Sequence, residues 1–566
     1  MQRMVRWMPR IVIVVALLAT VYGSGGTARS AEEVKSLRPS ELAIHGRAEV
    51  APAVTPPAPQ QSRLTIHGDP PDPTNVSDEL KEIYKHIDEN FDAHLERLVE
   101  WVRIPTISDI PEGQDAIRRS AEYIRDVIVK DLDCPAKIYY PGMADYGTGI
   151  EQFENPGNLV VYGRCDVGEE RTIIDYVQGD VMPVWPEEDW PAPPFGVEIQ
   201  ERPPFKRVLV GRGAYNSKGP EMSQLNALIS AKAVTGTLPV NVIFVVEHDE
   251  ERQDMGLRAF MYDNADLFQD AEVMFAYEGS MRHDGRGEIS GQSIGSMVFQ
   301  LQTSAERMPQ SSTAGGMAPG VGLYLPEQPT WRLWQAMQVF AEGSPLRQAF
   351  NEDVLPPSDE ELAFMRREAE QGGGSYEDMV TLRNTVRVFI TGTWGGNMAS
   401  GYSGHHRPPV STVKVDVRFP PNVEGKDLAQ KIRSHLDAAG YQDVEMKLIG
   451  IIDWSWANAD NDLGEATKRM YRQFNVPFNE PPNGNWIGAI NGYGPPSMFT
   501  RHPLQIPVLR AGLGAGGGAH FAPRGEYYVI EGDRDKVFGF AGAMKAYITV
   551  LYNYAGKNPP ASEGNR

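Results

Sequence analysis

A chain of 566 residues is too long for one ordinary domain, so two or more folded units are expected. Hydrophobic residues make up 41%, enough for a large core, and a formal net charge of −21 excludes the basic surface that nucleic acid or acidic lipid would need. Only two cysteines, Cys134 and Cys165, are present, which excludes a disulfide framework and leaves open one bridge or two buried thiols.

In chain order, Arg3, Arg6 and Arg10 precede an apolar run over 11–22, followed by mostly small residues. The run is short for a membrane span and fits a secretory leader, residues 1–31, cleaved after Ala28 or Ala31. The expectation is a secreted or periplasmic protein with no stable membrane anchor; an uncleaved anchor is the competing reading. Residues 32–76 are rich in proline and lack periodicity, as a linker does. Ser77 is a helix cap, and Leu80, Ile83, Tyr84, Ile87, Phe91, Leu95, Leu98 and Val102 mark one amphipathic helix that stops before Pro105. A second helix is expected over 116–129.

Apolar strands over 158–162, 240–246, 272–276 and 507–509 then alternate with helical patterns and end in polar clusters. This alternation predicts an α/β fold with a central, mostly parallel sheet, whose ligand crevice lies at the carboxyl ends of the strands. Between 295 and 450 the pattern changes to half-buried strands (296–303, 411–419) and helices (331–340, 428–439), read as a smaller inserted α/β domain. The larger domain is then discontinuous, 77–294 and 451–556, closed by a helix over 536–554 and followed by a tail over 557–566.

The chemistry gathers at the strand ends. Gly211-Arg212-Gly213-Ala214-Tyr215-Asn216-Ser217-Lys218-Gly219-Pro220 is a glycine-rich turn into a helix, with Pro220 at a favoured first position and Met222, Leu225, Leu228 and Ile229 on its buried face. Glu250-Glu251 is a carboxylate pair, suited to one general base and one metal ligand. His520, in a glycine-rich loop, suits zinc, and Glu278 is a further oxygen ligand.

In sequence order these segments resemble the cocatalytic zinc peptidases of clan MH, a family that includes carnosinase, aminoacylase, carboxypeptidase G and succinyl-diaminopimelate desuccinylase. The resemblance covers about 80–554 and runs through Arg103-Ile104-Pro105-Thr106-Ile107-Ser108, Trp190 to Phe195, the glycine-rich turn, Glu250-Glu251 and Ala519-His520-Phe521-Ala522-Pro523. It implies a hydrolase of peptide or N-acyl amino acid amide bonds, Glu250 as base on metal-bound water, Glu251 as ligand, and an inserted lid domain that forms a homodimer. Three positions depart from the family pattern. The first metal motif, His-x-Asp in the family, reads here as Arg164-Cys165-Asp166; the bridging aspartate is Asn216; the lid histidine is Gln310. A charged guanidinium offers no lone pair to a metal. The resulting expectation is one divalent ion (zinc, with manganese or cobalt as alternatives, and two ions as the competing count) at Glu251, His520 and Asn216. Arg164 pairs with Glu278 and, with Asp166, joins the catalytic set; Arg418 and Gln310 bind substrate, with a structural salt bridge as the equal reading for Arg418, and His405 and His406 lie in the lid. The alternative is an inactive homologue that keeps the cleft for binding.

Overall fold

Seven strands form the central sheet, in the order Ala136–Tyr139, Val160–Cys165, Asn241–Glu247, Thr172–Gln178, Val273–Tyr277, Val508–Ala511 and Ile289–Ser290. The computed structural model describes residues 68–184, 190–277, 281–308, 328–372, 374–395, 408–456, 460–478, 494–518 and 525–558. The expected leader, most of the linker, Glu278, Gln310, His405, His406 and His520 lie outside those residues.

The four strands in the middle of the sheet are parallel to one another. Asn241–Glu247 is buried along its whole length, as a strand covered on both faces must be. Alternate side chains feed two cores. Ile173, Val177, Val242, Phe244 and Val246 join the helices Gly219–Thr235 and Phe540–Tyr554, whereas Ile174, Tyr176, Ile243 and Val245 join Leu257, Phe260 and Phe499. The sheet is mixed, however. Val160–Cys165 runs antiparallel to Asn241–Glu247, with Arg164 opposite Ile243 and Cys165 opposite Val242. Its carboxyl end therefore lies at the opposite edge from those of the four parallel strands. Cys165 bonds Cys134, with a Cα–Cα distance of 5.0 Å, which closes the question left open by the sequence.

The helix expected from Leu80 to Val102 is two, Asp78–Glu89 and Phe91–Val102. They break at Asn90, whose side chain turns back to the His86 carbonyl at 2.8 Å. Ser77 caps the first, accepting from the Leu80 N–H at 3.3 Å. Ahead of it, half-buried Asp69 accepts backbone N–H groups from Gly532 (2.9 Å), Gly539 (2.7 Å) and Gly542 (2.9 Å). That carboxylate caps Phe540–Tyr554, whose own N-cap is a glycine with no side chain to offer. Lys545, one turn into the same helix, is held by Asp72 and Asp88.

A second sheet, antiparallel throughout, orders Arg387–Trp394, Val410–Phe419, Gly295–Ser304 and Glu445–Ile452. Its Met297, Phe299, Leu301, Val413, Val415 and Val417 form a separate core with Leu333, Phe350, Leu428 and Ile432 from the helices beside them. Arg387–Trp394 is an edge strand that exposes Phe389, Ile390 and Trp394.

Candidate active site

The glycine-rich turn follows the strand Phe205–Val210 and leads into Gly219–Thr235. Gly213 has φ of 83°, a left-handed value that suits glycine. A Cβ on Gly219 would stand 2.2 Å from the Ala214 carbonyl oxygen and 2.7 Å from the Tyr528 ring, so only glycine fits there. Lys218 is fully buried and donates to the carbonyls of Trp101 (3.1 Å) and Ile104 (2.9 Å), which fastens the turn to the segment around Pro105; burial pushes its pKa down to about 7.

The turn is wound around Glu526. This carboxylate is 0% exposed and accepts from the backbone N–H groups of Gly213 (2.9 Å), Tyr215 (2.8 Å) and Asn216 (2.7 Å) and from the Arg212 guanidinium (2.9 Å). Arg212 also lies over the Trp190 ring at 4.9 Å. Glu526 therefore sets where Asn216 stands.

Asp180 does the same for the carboxylate pair. It follows the strand Thr172–Gln178 and takes the N–H of Glu250 on one oxygen (3.2 Å) and that of Glu251 on the other (3.1 Å). Desolvation, before any other cause, pushes the Asp180 pKa up to about 7. The side chains then link across the strand ends. Gln178 donates its amide N–H to Glu250 at 3.3 Å, and Asn216 donates its own to Glu251 at 3.3 Å. The Ser217 hydroxyl lies 3.0 Å from the Gln178 amide oxygen and 2.9 Å from that of Asn216. Gly494 borders Glu250, since a Cβ there would stand 3.5 Å from its carboxylate.

Two expected members are elsewhere. Arg164 binds both oxygens of Asp270, at 2.9 and 2.5 Å, with Asp166 at 3.8 Å. With its guanidinium taken up by Asp270, the expected catalytic roles of Arg164 and Asp166 are corrected, while the expected partner Glu278 lies outside the described residues. Because their strand is antiparallel to its neighbour, they sit level with the start of Asn241–Glu247, while Glu250 and Glu251 follow its end. The residues that occupy the carboxyl end of a parallel strand are Gln178 and Asp180. Arg418 lies on the second sheet, where it pairs with Asp416 at 2.8 Å.

The donor set can be tested against a metal. Among the described residues, no three His, Cys, Asp or Glu side chains gather into a cage. Glu251 nevertheless suits one cation. Among those residues, the Asn216 amide is the sole side-chain hydrogen-bond donor to its carboxylate. Desolvation and then the charges of Glu250 and Asp180 push its pKa well up. A second cation, between Gln178 and Asn216, would find two neutral amides already tied to one hydroxyl, and does not fit.

The model of peptidase family M20/M25/M40 matches residues 177–461, just over half of the chain and including Gln178, Asp180, Asn216, Glu250 and Glu251. The chain belongs to that family. This M20-family chain is 22% identical to the human Beta-Ala-His dipeptidase over 422 residues, 69% of the chain and 79% of that protein. It is 24% identical over 182 residues to the Cys-Gly metallodipeptidase DUG1 of Saccharomyces cerevisiae, 32% of the chain and 37% of that protein; the alignment with the mouse Beta-Ala-His dipeptidase also spans 37% of the relative. The crystal structure of human carnosine dipeptidase 1 superposes with a TM-score of 0.65 at 20% identity, covering 84% of the chain and 99% of that structure. The α/β fold with its mixed central sheet is therefore the fold of known M20 peptidases.

Proposed function

We propose that this M20-family chain hydrolyses the amide bond of a small substrate, a dipeptide or an N-acyl amino acid, with Glu250 as general base. The observation that carries the reading is the Glu250–Glu251 pair, fixed through its backbone by Asp180 at the strand ends and facing Asn216 of the glycine-rich turn. Glu250 takes a proton from the attacking water and returns it to the leaving nitrogen. Glu251 and His520 would hold one divalent cation, zinc by the family resemblance, beside Asn216, whose N–H steadies Glu251; when bound the ion supplies Lewis acidity to the scissile carbonyl. Arg418 and Gln310 are proposed to meet the substrate from the inserted domain. The names of the human and yeast relatives, both dipeptidases, support the small-peptide class.

A second reading, a cleft that binds and does not turn over, is favoured by one observation: two neutral amides, of Gln178 and Asn216, stand beside the carboxylate pair. A panel of dipeptides and N-acyl amino acids, incubated with protein supplied with zinc or manganese, separates the two. Release of free amino acid supports the hydrolase. Binding detected by calorimetry with no release from any member of the panel removes it.

Two further parts of the proposal concern the whole chain. Export is supported by the leader-like segment and by the Cys134–Cys165 bridge, which persists in oxidising compartments; sequencing the mature N-terminus checks it. A homodimer is supported by the exposed edge strand Arg387–Trp394, because an unpaired edge carrying Phe389, Ile390 and Trp394 is a template for a second strand. Ile390→Lys is expected to convert a dimer to a monomer by light scattering, and a wild-type chain already monomeric at micromolar concentration would contradict the dimer.

A further inference from the structure

We propose that the hydrogen-bonded chain Gln178–Ser217–Asn216 stands in for the second cation, so that the site takes a single divalent ion on the Glu251 side. The inference concerns the same site as the proposed hydrolase but not its turnover, since it is read from metal content alone.

The geometry argues it in three steps. Gln178 comes to the site because Thr172–Gln178 is parallel to Asn241–Glu247 and ends beside Glu247, its register partner. The neighbouring Gly179 N–H bonds the Glu247 carbonyl at 2.7 Å, so position 178 is fixed by the sheet and is not free to withdraw. Its amide then bridges two elements, giving its N–H to Glu250 and its oxygen to Ser217.

Second, Ser217 lies within hydrogen-bond distance of both amide oxygens, 3.0 Å from Gln178 and 2.9 Å from Asn216. A cation shared between 178 and 216 would need those same two oxygens. The hydroxyl proton occupies that place, and it satisfies one oxygen at a time, which a weak dipolar link tolerates and a dication does not.

Third, among the described residues the donors are wrong for a second ion. Amide oxygens are neutral, whereas zinc draws on thiolate, imidazole and carboxylate. Replacing a bridging carboxylate by an amide removes one negative charge from between two ions that repel each other. What the amides do supply is an N–H apiece to Glu250 and Glu251. The arrangement steadies both carboxylates without a second metal and leaves Glu251, whose one side-chain hydrogen-bond donor among the described residues is Asn216, open to the first.

The test is metal stoichiometry of the full chain after loading with excess zinc and desalting. The unmodified protein is expected to retain about one ion per chain, and Gln178→His with Asn216→Asp about two, because imidazole and a bridging carboxylate restore a second site. Two ions in the unmodified protein, none in it, or a folded double variant that still holds one, would each overturn the proposal. Should the double variant fail to fold, the unmodified chain loaded with manganese decides alone. An isolated Mn(II) paramagnetic signal is expected; an exchange-coupled pair overturns it. Loss of hydrolysis with one ion bound would count against the proposed activity and leave this inference standing.

Discussion

Glu250→Gln is expected to lower kcat on a responsive dipeptide by about 10²–10⁴-fold with little change in KM. Glutamine keeps the volume and an acceptor for the Gln178 amide, while losing the ability to take a proton. The backbone contact that positions residue 250 is untouched, because Asp180 binds the main-chain N–H. The melting temperature and the metal content should therefore stay at wild-type values, which separates a chemical loss from a structural one. A variant with wild-type kcat would remove Glu250 as the base.

Arg212→Ala carries the largest expected effect on stability. It strips from Glu526 its one ion-pair partner among the described residues; that carboxylate has a side-chain exposure of 0% and is held at 2.9 Å by an arginine exposed by only 5%. Three backbone N–H groups remain, but an uncompensated buried charge costs about 3–5 kcal/mol. Loss of the stacking on Trp190 adds to it. The effect depends on pH. Burial already raises the Glu526 pKa, with Arg212 as the main opposing influence. A raised folded-state pKa gives stability that is full below the unfolded carboxylate pKa of about 4.3 and falls as pH rises. Without Arg212 that fall steepens, so the deficit should be largest at neutral pH and shrink towards pH 4–5. Urea unfolding at pH 7.5 and 5 checks it, and Arg212→Ala with Glu526→Gln should recover part of the loss. A single variant within 1 kcal/mol of wild type at pH 7.5 would show that Glu526 needs no counter-charge.

The parallel strands, the glycine-rich turn and Glu250-Glu251 were legible in the sequence because apolar runs ending in polar clusters report strand ends directly. Gln178 and Asp180 were not. Their strand reads Thr172-Ile173-Ile174-Asp175-Tyr176-Val177, and Asp175 breaks the apolar run. In the fold that aspartate is buried, accepts the Tyr547 hydroxyl at 2.8 Å and has its pKa pushed up by desolvation to about 8, so it behaves as a near-neutral core group. The preceding apolar strand drew the His-x-Asp comparison to Arg164-Cys165-Asp166. Sequence pattern does not report strand direction, and direction alone put those residues at the wrong edge. Glu526 was passed over because its partners are backbone N–H groups at 213, 215 and 216, a relation with no local signature. The split at Asn90 fell inside an unbroken apolar period.

The cap that Asp69 places on Phe540–Tyr554 has a consequence for biosynthesis. The carboxylate and its donors are separated by 463, 470 and 473 residues. A ribosome therefore delivers the acceptor long before the amides it must meet, and the helix that completes the main core is the last large element to emerge. The nascent polypeptide has to stay open until translation is nearly complete, with its interior unsealed and its strand edges uncovered.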